Sequence, residues 1–496
     1  MSRELLINAL LQETRVALLE NGALAEIYLE RAGTPGIVGN IYRGRISNVL
    51  PGMQSAFVDI GLERDAFLCV TDVLPPHEDP VGGMEDARPA LGPTARRGPA
   101  VETLLRENQE ILVQVLKEGI GGKGPRVTAQ ISLPGRCLVF LPGSPHRAVS
   151  RRIEAQEEKE RLLSLVASIP GEGGFIVRTA AQGAPEGRLE GEAARLRAVW
   201  EKLRENTTRA TVPSCAHAEN DLILKVLRDF LTPEIDRVLV DREDACRRCR
   251  EVAEHLEPDL SHRIEHYMGT EPIFEAFGVE KDLARALRRR LWLPSGGYIV
   301  IHPTEALVAI DVNTGKYLGT TRFEETALCT NLEAVREIVR QIRLRDLGGI
   351  LVIDFIDLEE EGSRKKLATA LEAELKKDRA KSRVLQISDF GLVEITRQRS
   401  RRSLESFLCR PCPVCHGSGR MRSARTLRFD IQREVRKVAP LLGGAALTIR
   451  AHPEVAGEIQ KDLELFRSDL GVPIPPEIRV EAVGEFHPEQ YEILTG

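Results

Sequence analysis

The sequence is first narrowed by what it lacks. No apolar run approaches the roughly 20 residues that a membrane-spanning helix needs, which argues against a membrane partner. The N-terminus, MSRELLINALLQETRVALLENGALAEIYLE, has neither the long apolar block nor the small-residue cleavage site of a secretory signal. A paired set of cysteines is also missing. There are nine, and an odd number in a chain with no sign of export argues against a disulfide framework. Nor is there an excess of positive charge, since the formal net charge is −5. A cytosolic protein is the expectation, and nucleic-acid binding would have to rest on local rather than total charge. Arginine is concentrated in LARALRRRLW (283–292) and ITRQRSRRS (395–403).

What is present suggests several globular units. A length of 496 residues suits about three domains, more if some are small, and a hydrophobic content of 42% is ordinary for a protein with proper cores. Asn21-Gly22 supplies the positive φ angles of a tight hairpin between two N-terminal strands. From 39 to 74, short β-rich runs broken by Pro51-Gly52 and Gly61 suit a small antiparallel barrel, which resumes at NQEILVQVLKEG (108–119). Residues 75–100 are dense in Pro, Gly and Ala and read as a long loop inserted into that barrel. Strands such as GFIVRTAA and the charged helix EGRLEGEAARLRAVWEKLRE follow, and 220–290 is largely helical around the strand DRVLVD.

The segment GGILVIDFIDLEEE (348–361) poses a chemical question, because a greasy strand ends on Asp354. ALVAIDVNTG repeats the design and ends its apolar run on Asp311. One periodic helix, Glu324 to Leu344, separates them, so a parallel strand–helix–strand unit is expected with both aspartates at the carboxyl ends. Two carboxylates that close repel each other unless one is protonated or a cation lies between them. Oxygen ligands with open positions suit Mg²⁺, and Asn313 stands two residues on, within reach of a phosphate oxygen or a water. Asp357 and Glu359 to Glu361 read as the charged start of the next helix (363–381).

Two further patterns carry chemistry. Arg178 and Thr179 close GFIVRTAA, and a guanidinium beside a hydroxyl makes a cradle for a terminal phosphate. CPVCHGSG (412–419) has the Cys-x-x-Cys spacing of a zinc knuckle, with Cys412 and Cys415 supplying two of four ligands. The remainder would come from the same motif on a second chain, from Cys246 and Cys249, or from Cys409 and His416. Cys69, Cys137, Cys215 and Cys329 stand singly in apolar surroundings and read as small core residues.

AIDVNTG, IRLRDLGGILVIDFIDL and CPVCHGSG occur in one order along a chain that resembles the ribonuclease E/G family of bacterial endoribonucleases. The resemblance runs from LLINAL to the C-terminus, and RSLESFLCRPCPVCHGSG with a short end domain places it nearer the G branch. It implies an α/β multidomain fold. A ribonuclease-H-like subdomain (1–35 and 220–287) would be interrupted by an OB-fold RNA-binding barrel (36–128) and a 5′-monophosphate sensor domain (129–219). A deoxyribonuclease-I-like catalytic domain (288–408), a zinc-binding link (409–419) and a small α+β C-terminal domain (420–496) would follow.

The implied activity is cleavage of single-stranded RNA to 5′-phosphate and 3′-hydroxyl ends, in ribosomal RNA maturation and messenger decay. Asp311 and Asp354 would bind the catalytic Mg²⁺ with Asn313 assisting. Phe57, Phe67 and Lys123 would contact RNA on the barrel, extended by Tyr42 and Arg43. Arg178 and Thr179 would read the 5′-phosphate, supported by Gly135, Val139, Arg151 and Lys381. Lys381 stands where ribonuclease E has an arginine, so that contact keeps the charge and loses the fork. Zn²⁺ shared between protomers through Cys412 and Cys415 would hold a homodimer, from which a tetramer could be built. The alternative from another functional class is a non-catalytic RNA-binding or ribosome-associated protein that uses the barrel alone.

Overall fold

The computed structural model describes residues 2–495 except 34–35, 74–98, 120–122, 220, 316–322, 388–391, 399–400, 439–445 and 471–476. Nearly all of the loop expected at 75–100 lies outside the described residues. The chain is a mixed α/β protein in two compact units, Met1–Phe407 and Leu408–Gly496.

The larger unit begins with a five-stranded sheet. Arg3–Ala9, Glu13–Glu20 and Ala23–Arg31 run antiparallel, and Arg237–Val240 and Ile264–His266 extend the first strand in parallel. Asn21 (φ 51°) and Gly22 (φ 77°) turn the hairpin, as that dipeptide predicts. Helices Leu222–Phe230 and Glu243–Leu256 cover the sheet, and Cys246 and Cys249 lie one helical turn apart inside its core.

Ile41–Leu50, Ser55–Asp59, Ala66–Cys69, Arg126–Thr128 and Glu110–Lys117 pair in that order, and the first strand pairs with the last, which closes a five-stranded barrel consistent with an OB-fold. Its alternation is clear in Ser55–Asp59 and Ala66–Cys69. Ala56, Val58, Ala66 and Leu68 fill the interior, and the residues between them point out. Tyr42 is one of the interior residues, only 6% exposed. It therefore packs the barrel rather than extending an RNA surface, because the strand's period of two turns it inward beside Ile46. Arg43 is tied down as well, donating to the Thr207 and Ala210 carbonyls and to Glu110.

A four-stranded sheet (Arg147–Val149, Gly174–Val177, Leu138–Leu141, Leu133–Pro134) follows in the same unit, packed with helices Gln156–Ser168 and Glu186–Arg209. Next comes a six-stranded sheet in the order Arg290–Trp292, Tyr298–Pro303, Leu307–Asn313, Gly349–Asp354, Leu392–Arg397, Ser382–Ile387. Helix Phe323–Arg345 buries Ala327, Ala334, Val335, Ile338, Val339 and Ile342, spaced three and four apart, against one face of it. Glu324 and Glu325 in the first turn and Arg343 and Arg345 in the last complement the helix dipole. Asp346 in the left-handed region (φ 49°) ends the helix. The next helix is Glu361–Leu375, shorter than the expected 363–381, because Ser382 already begins a strand.

The smaller unit has a three-stranded sheet, Ile478–Ala482, Leu447–Ala451 and Tyr491–Thr495. Helices Ala424–Val438, Pro453–Lys461 and Leu463–Ser468 pack around a core that includes Ile431, Ile449 and Phe466.

Two of the isolated cysteines depart from expectation. Cys215 and Cys329 are exposed and Cys69 is half-buried, whereas Cys137 is buried. Apolar neighbours in sequence do not settle which way a side chain faces, and both exposed cysteines fall on the outward phase of their strand or helix.

Candidate active site

The two aspartates converge through backbone register. Leu307–Asn313 and Gly349–Asp354 pair in parallel, with Asp311 directly opposite Asp354. In the first strand Val308, Ile310 and Val312 point to the helices, so Asp311 and Asn313 fall on the other face. In the second, Leu351 and Ile353 point to the helices and leave Asp354 beside Asp311. No described helix covers that face, which is why Ile350 is 49% exposed although it lies in a central strand. The apolar run GILVI is thus buried on one side only. Asn313 donates from Nδ2 to Oδ2 of Asp311 at 2.8 Å, which fixes the orientation of that carboxylate.

The electrostatics of the pair follow from this geometry. Partial burial raises the Asp354 carboxyl above its ordinary 3.8, and the Asp311 and Asp357 charges push it further the same way. Asp357 thus acts on the pair through its charge and is not a helix starter. It lies in the connection after the strand, and the helix begins only at Glu361. Its spacing three residues beyond Asp354 was the available signal. Sequence reasoning also missed what holds this connection. Asn331, fully buried in the long helix, donates to the Ile356 carbonyl (2.8 Å) and accepts from the Ile356 N–H (3.0 Å). Glu324 accepts from the N–H groups of Glu359 and Glu360. Asp311 and Asp354, two mutually repelling carboxylates side by side on an open face, offer the oxygen donors that suit a hard divalent cation, with Asp357 adding negative charge nearby.

On the barrel, Phe57 and Phe67 sit opposite each other on neighbouring strands, both on the outer face, with ring centroids 6.1 Å apart and planes at 70°. Arg126 is the register partner of Phe67 on its other side. Lys123 is exposed, and Gly124 explains its position. A Cβ there would collide with the Asp65 carbonyl, so only glycine lets the chain pass against the strand that bears Phe67.

Around Arg178 the structure gathers several of the expected residues. Its guanidinium donates to the Gly135 carbonyl (2.6 Å) and to Asp229 Oδ1 (2.8 Å). Gly135 has no room for a side chain, since a Cβ would meet the Glu192 carboxylate and the Leu138 carbonyl. Val139 lies on the strand that pairs with Gly174–Val177, and half-buried Thr179 opens the short turn after Arg178. Arg151 is exposed two residues past the parallel neighbour of that strand. Lys381 belongs to a loop tied here through Arg379, which donates to the Asp229 carbonyl (2.9 Å) and accepts from Arg152 (2.8 Å). Burial would raise the Asp229 carboxyl, but Arg228 and Arg178 outweigh it and hold the group below its ordinary value.

In the smaller unit, Cys412 precedes and Cys415 lies within a turn that ends on His416 (φ 47°) and Gly417 (φ 91°) in the left-handed region. The N–H groups of Gly419 and Gly417 favour the Cys415 thiolate and pull its pKa down. Burial does the opposite to Cys246 and Cys249, the latter pushed up to about 12, which disfavours the thiolate in the helical pair. Among the described residues no three His, Cys, Asp or Glu side chains cluster as a metal site within the chain.

Residues 132–400 match the ribonuclease E/G family. The chain is 41% identical over 495 residues to ribonuclease G of Escherichia coli K12, covering 100% of both proteins. This chain belongs to the ribonuclease E/G family. Its identity to ribonuclease G of Haemophilus influenzae is 40% over 494 residues, or 99% of each chain. To ribonuclease E of E. coli K12 it is 37% over 443 residues, 88% of this chain and 40% of that protein. Within the family the match thus spans whole ribonuclease G chains but less than half of ribonuclease E.

Proposed function

We propose that this protein is a Mg²⁺-dependent endoribonuclease of the ribonuclease G type. It would cut single-stranded RNA in the cytoplasm, prefer 5′-monophosphorylated ends, and leave 5′-phosphate and 3′-hydroxyl products. Maturation of ribosomal RNA and messenger decay are its proposed tasks. The observation that carries the reading is the juxtaposition of Asp311 and Asp354 on adjacent parallel strands, on the one sheet face that no described helix covers.

Asp311 and Asp354 would hold the metal, with Asp357 adding negative potential beside it. When bound, Mg²⁺ acidifies a water and neutralises charge at the attacked phosphate. Asn313 orients Asp311 and, through the same amide, limits how far that carboxylate can swing. Phe57 and Phe67 offer ring faces to successive bases, and Lys123 offers charge to the backbone between them. Arg178 and Thr179 would receive the 5′-phosphate, with Asp229 and Gly135 keeping the guanidinium fork aimed. Cys412 and Cys415 would share Zn²⁺ with the same pair of a second chain in a homodimer. The depressed Cys415 pKa supports this, since the thiolate is the ligand.

The test is cleavage of matched 5′-monophosphate, 5′-hydroxyl and DNA oligonucleotides with Mg²⁺. Fastest cutting of the 5′-monophosphate RNA is expected, and equal cutting of DNA would overturn the reading. Replacing Cys412 and Cys415 by Ser together should halve the sedimenting mass; an unchanged mass rejects the shared zinc.

A further inference from the structure

The proposed metal site occupies only the middle of the open sheet face. The lateral rows of that face continue past it. Asn313 is paired with Tyr298, and Tyr298 with Trp292; in the next row Asp354 is followed by Asp311, Val300 and Arg290. Leu291, Ile299 and Ile301 point to the core, so Arg290, Trp292 and Tyr298 stand on the same side as the carboxylates. At the usual strand spacing, Tyr298 is about 5 Å and Trp292 about 10 Å from Asn313.

These three side chains form one cluster. The Trp292 and Tyr298 rings meet edge to face with centroids 5.3 Å apart, and the Arg290 guanidinium lies 4.5 Å from the centre of the Tyr298 ring. Trp292 is nevertheless 54% exposed. The hairpin that puts them there depends on two glycines. Gly296 turns in the left-handed region (φ 96°), and a Cβ on Gly297 would press on the Asn313 carbonyl and on Thr330. Arg288 and Arg289 are exposed next to Arg290, and none of the three forms an ion pair among the described residues. An uncovered indole, a phenol ring and unneutralised guanidinium groups beside a carboxylate pair complement a nucleotide, whose base stacks while its phosphate finds the arginines.

We propose that Trp292, Tyr298 and Arg290 are a nucleotide-binding subsite that stacks the base flanking the scissile phosphate and so helps to set where RNA is cut. The inference rests on the endoribonuclease reading above. A second copy of the chain is the competing occupant of the surface, and the experiment separates the two.

Trp292 is one of only two tryptophans, the other being Trp200 on a helix of the four-stranded sheet's unit. In an Asp354→Asn background, which prevents turnover, intrinsic fluorescence is followed as single-stranded RNA is added. Quenching that is present with Trp292 and lost in Trp292→Phe is expected. In the cleaving enzyme, Trp292→Ala should raise KM about tenfold, in line with base stacking. That penalty should vanish on an oligonucleotide abasic at the flanking position, because the two deletions remove the same contact. RNA binding without Trp292 quenching overturns the subsite and leaves the nuclease reading intact; absence of RNA binding removes both. A penalty that persists on abasic RNA, or Trp292 emission that changes with protein concentration alone, assigns the surface to protein contacts and overturns the proposal.

Discussion

Carboxylates are treated in opposite ways in two parts of the larger unit. Where the long helix meets the first sheet, Arg343 is buried and donates to both oxygens of Glu20 and to Glu26, while Tyr28 adds a hydrogen bond to Glu26. Nearby Arg397, only 5% exposed, joins Asp346 (2.7 Å), the Leu347 carbonyl (2.8 Å) and Asp378 (2.6 Å). Every negative charge there has its arginine. At the open sheet face Asp311 and Asp354 stand side by side, and among the described residues no lysine or arginine forms an ion pair with either. The first arrangement fastens secondary structure; the second leaves negative charge uncompensated, as the proposed cation site requires. Paired and unpaired aspartates therefore serve different ends within one chain, and the difference can be tested by removing one charge from each.

The largest effect is expected on the unpaired side. Asp354→Asn keeps the shape and removes a proposed metal ligand, so cleavage should fall by about 4 kcal/mol or more, roughly a thousandfold. Stability should hold or rise slightly, because a like-charge repulsion is gone. Surviving turnover in single-turnover assays would reject the catalytic placement. On the paired side the outcome should invert. Arg397→Met strands Asp378 in the interior and takes from Asp346 its closest cation, leaving it to Arg401, at a cost of about 3–5 kcal/mol in urea unfolding. A variant as stable as the parent would show that the two acids find water or other partners.

The aromatic pair on the barrel gives a smaller effect. Phe57→Ala should weaken single-stranded RNA binding by about 1–3 kcal/mol and leave the barrel folded, since the ring lies outside the core formed by Val58, Leu68 and Val113. If binding holds and the unfolding midpoint drops instead, the ring is packing rather than platform.

The strand carriers of the site were legible in sequence because period-two alternation and register act locally. Two similar apolar runs ending on aspartate, with one helix between them, were enough to bring Asp311 and Asp354 together. Exposure of Ile350 was not legible, since a run of Ile, Leu, Val and Ile reads the same whether one or both sheet faces are covered. Tyr42 was misjudged for a related reason: the side of a barrel strand depends on where the barrel closes, and the closing pair joins residues some seventy positions apart. Asn331 and Glu324 were invisible because their role is to hold the backbone of a connection distant in the chain. Trp292 and Tyr298 gained meaning only from lateral pairing, which places them in line with Asn313.

The smallest effect is a dependence on pH that differs in sign between the two regions. Burial works to raise Glu20 and Glu26, but Arg343 more than offsets it and holds both below their ordinary 4.5. A carboxyl with a lowered folded pKa gives stability that is complete above the unfolded value and is lost as pH falls through the folded one. Asp354 is shifted upward, so the folded chain holds its proton more tightly than the unfolded chain does. Its contribution is present below the ordinary 3.8 and is lost as pH rises through the raised value. In metal-free protein, Asp354→Asn should therefore remove a shallow decline in stability across that window, whereas Arg343→Met should flatten the loss on acidification. Magnesium should reverse the Asp354 slope, because the cation binds the ionised pair and its stabilisation grows as the proton leaves. If urea midpoints in this window are the same with and without Asp354, and with and without magnesium, the two aspartates are not electrostatically joined, and the contrast with the Arg343 network loses its meaning.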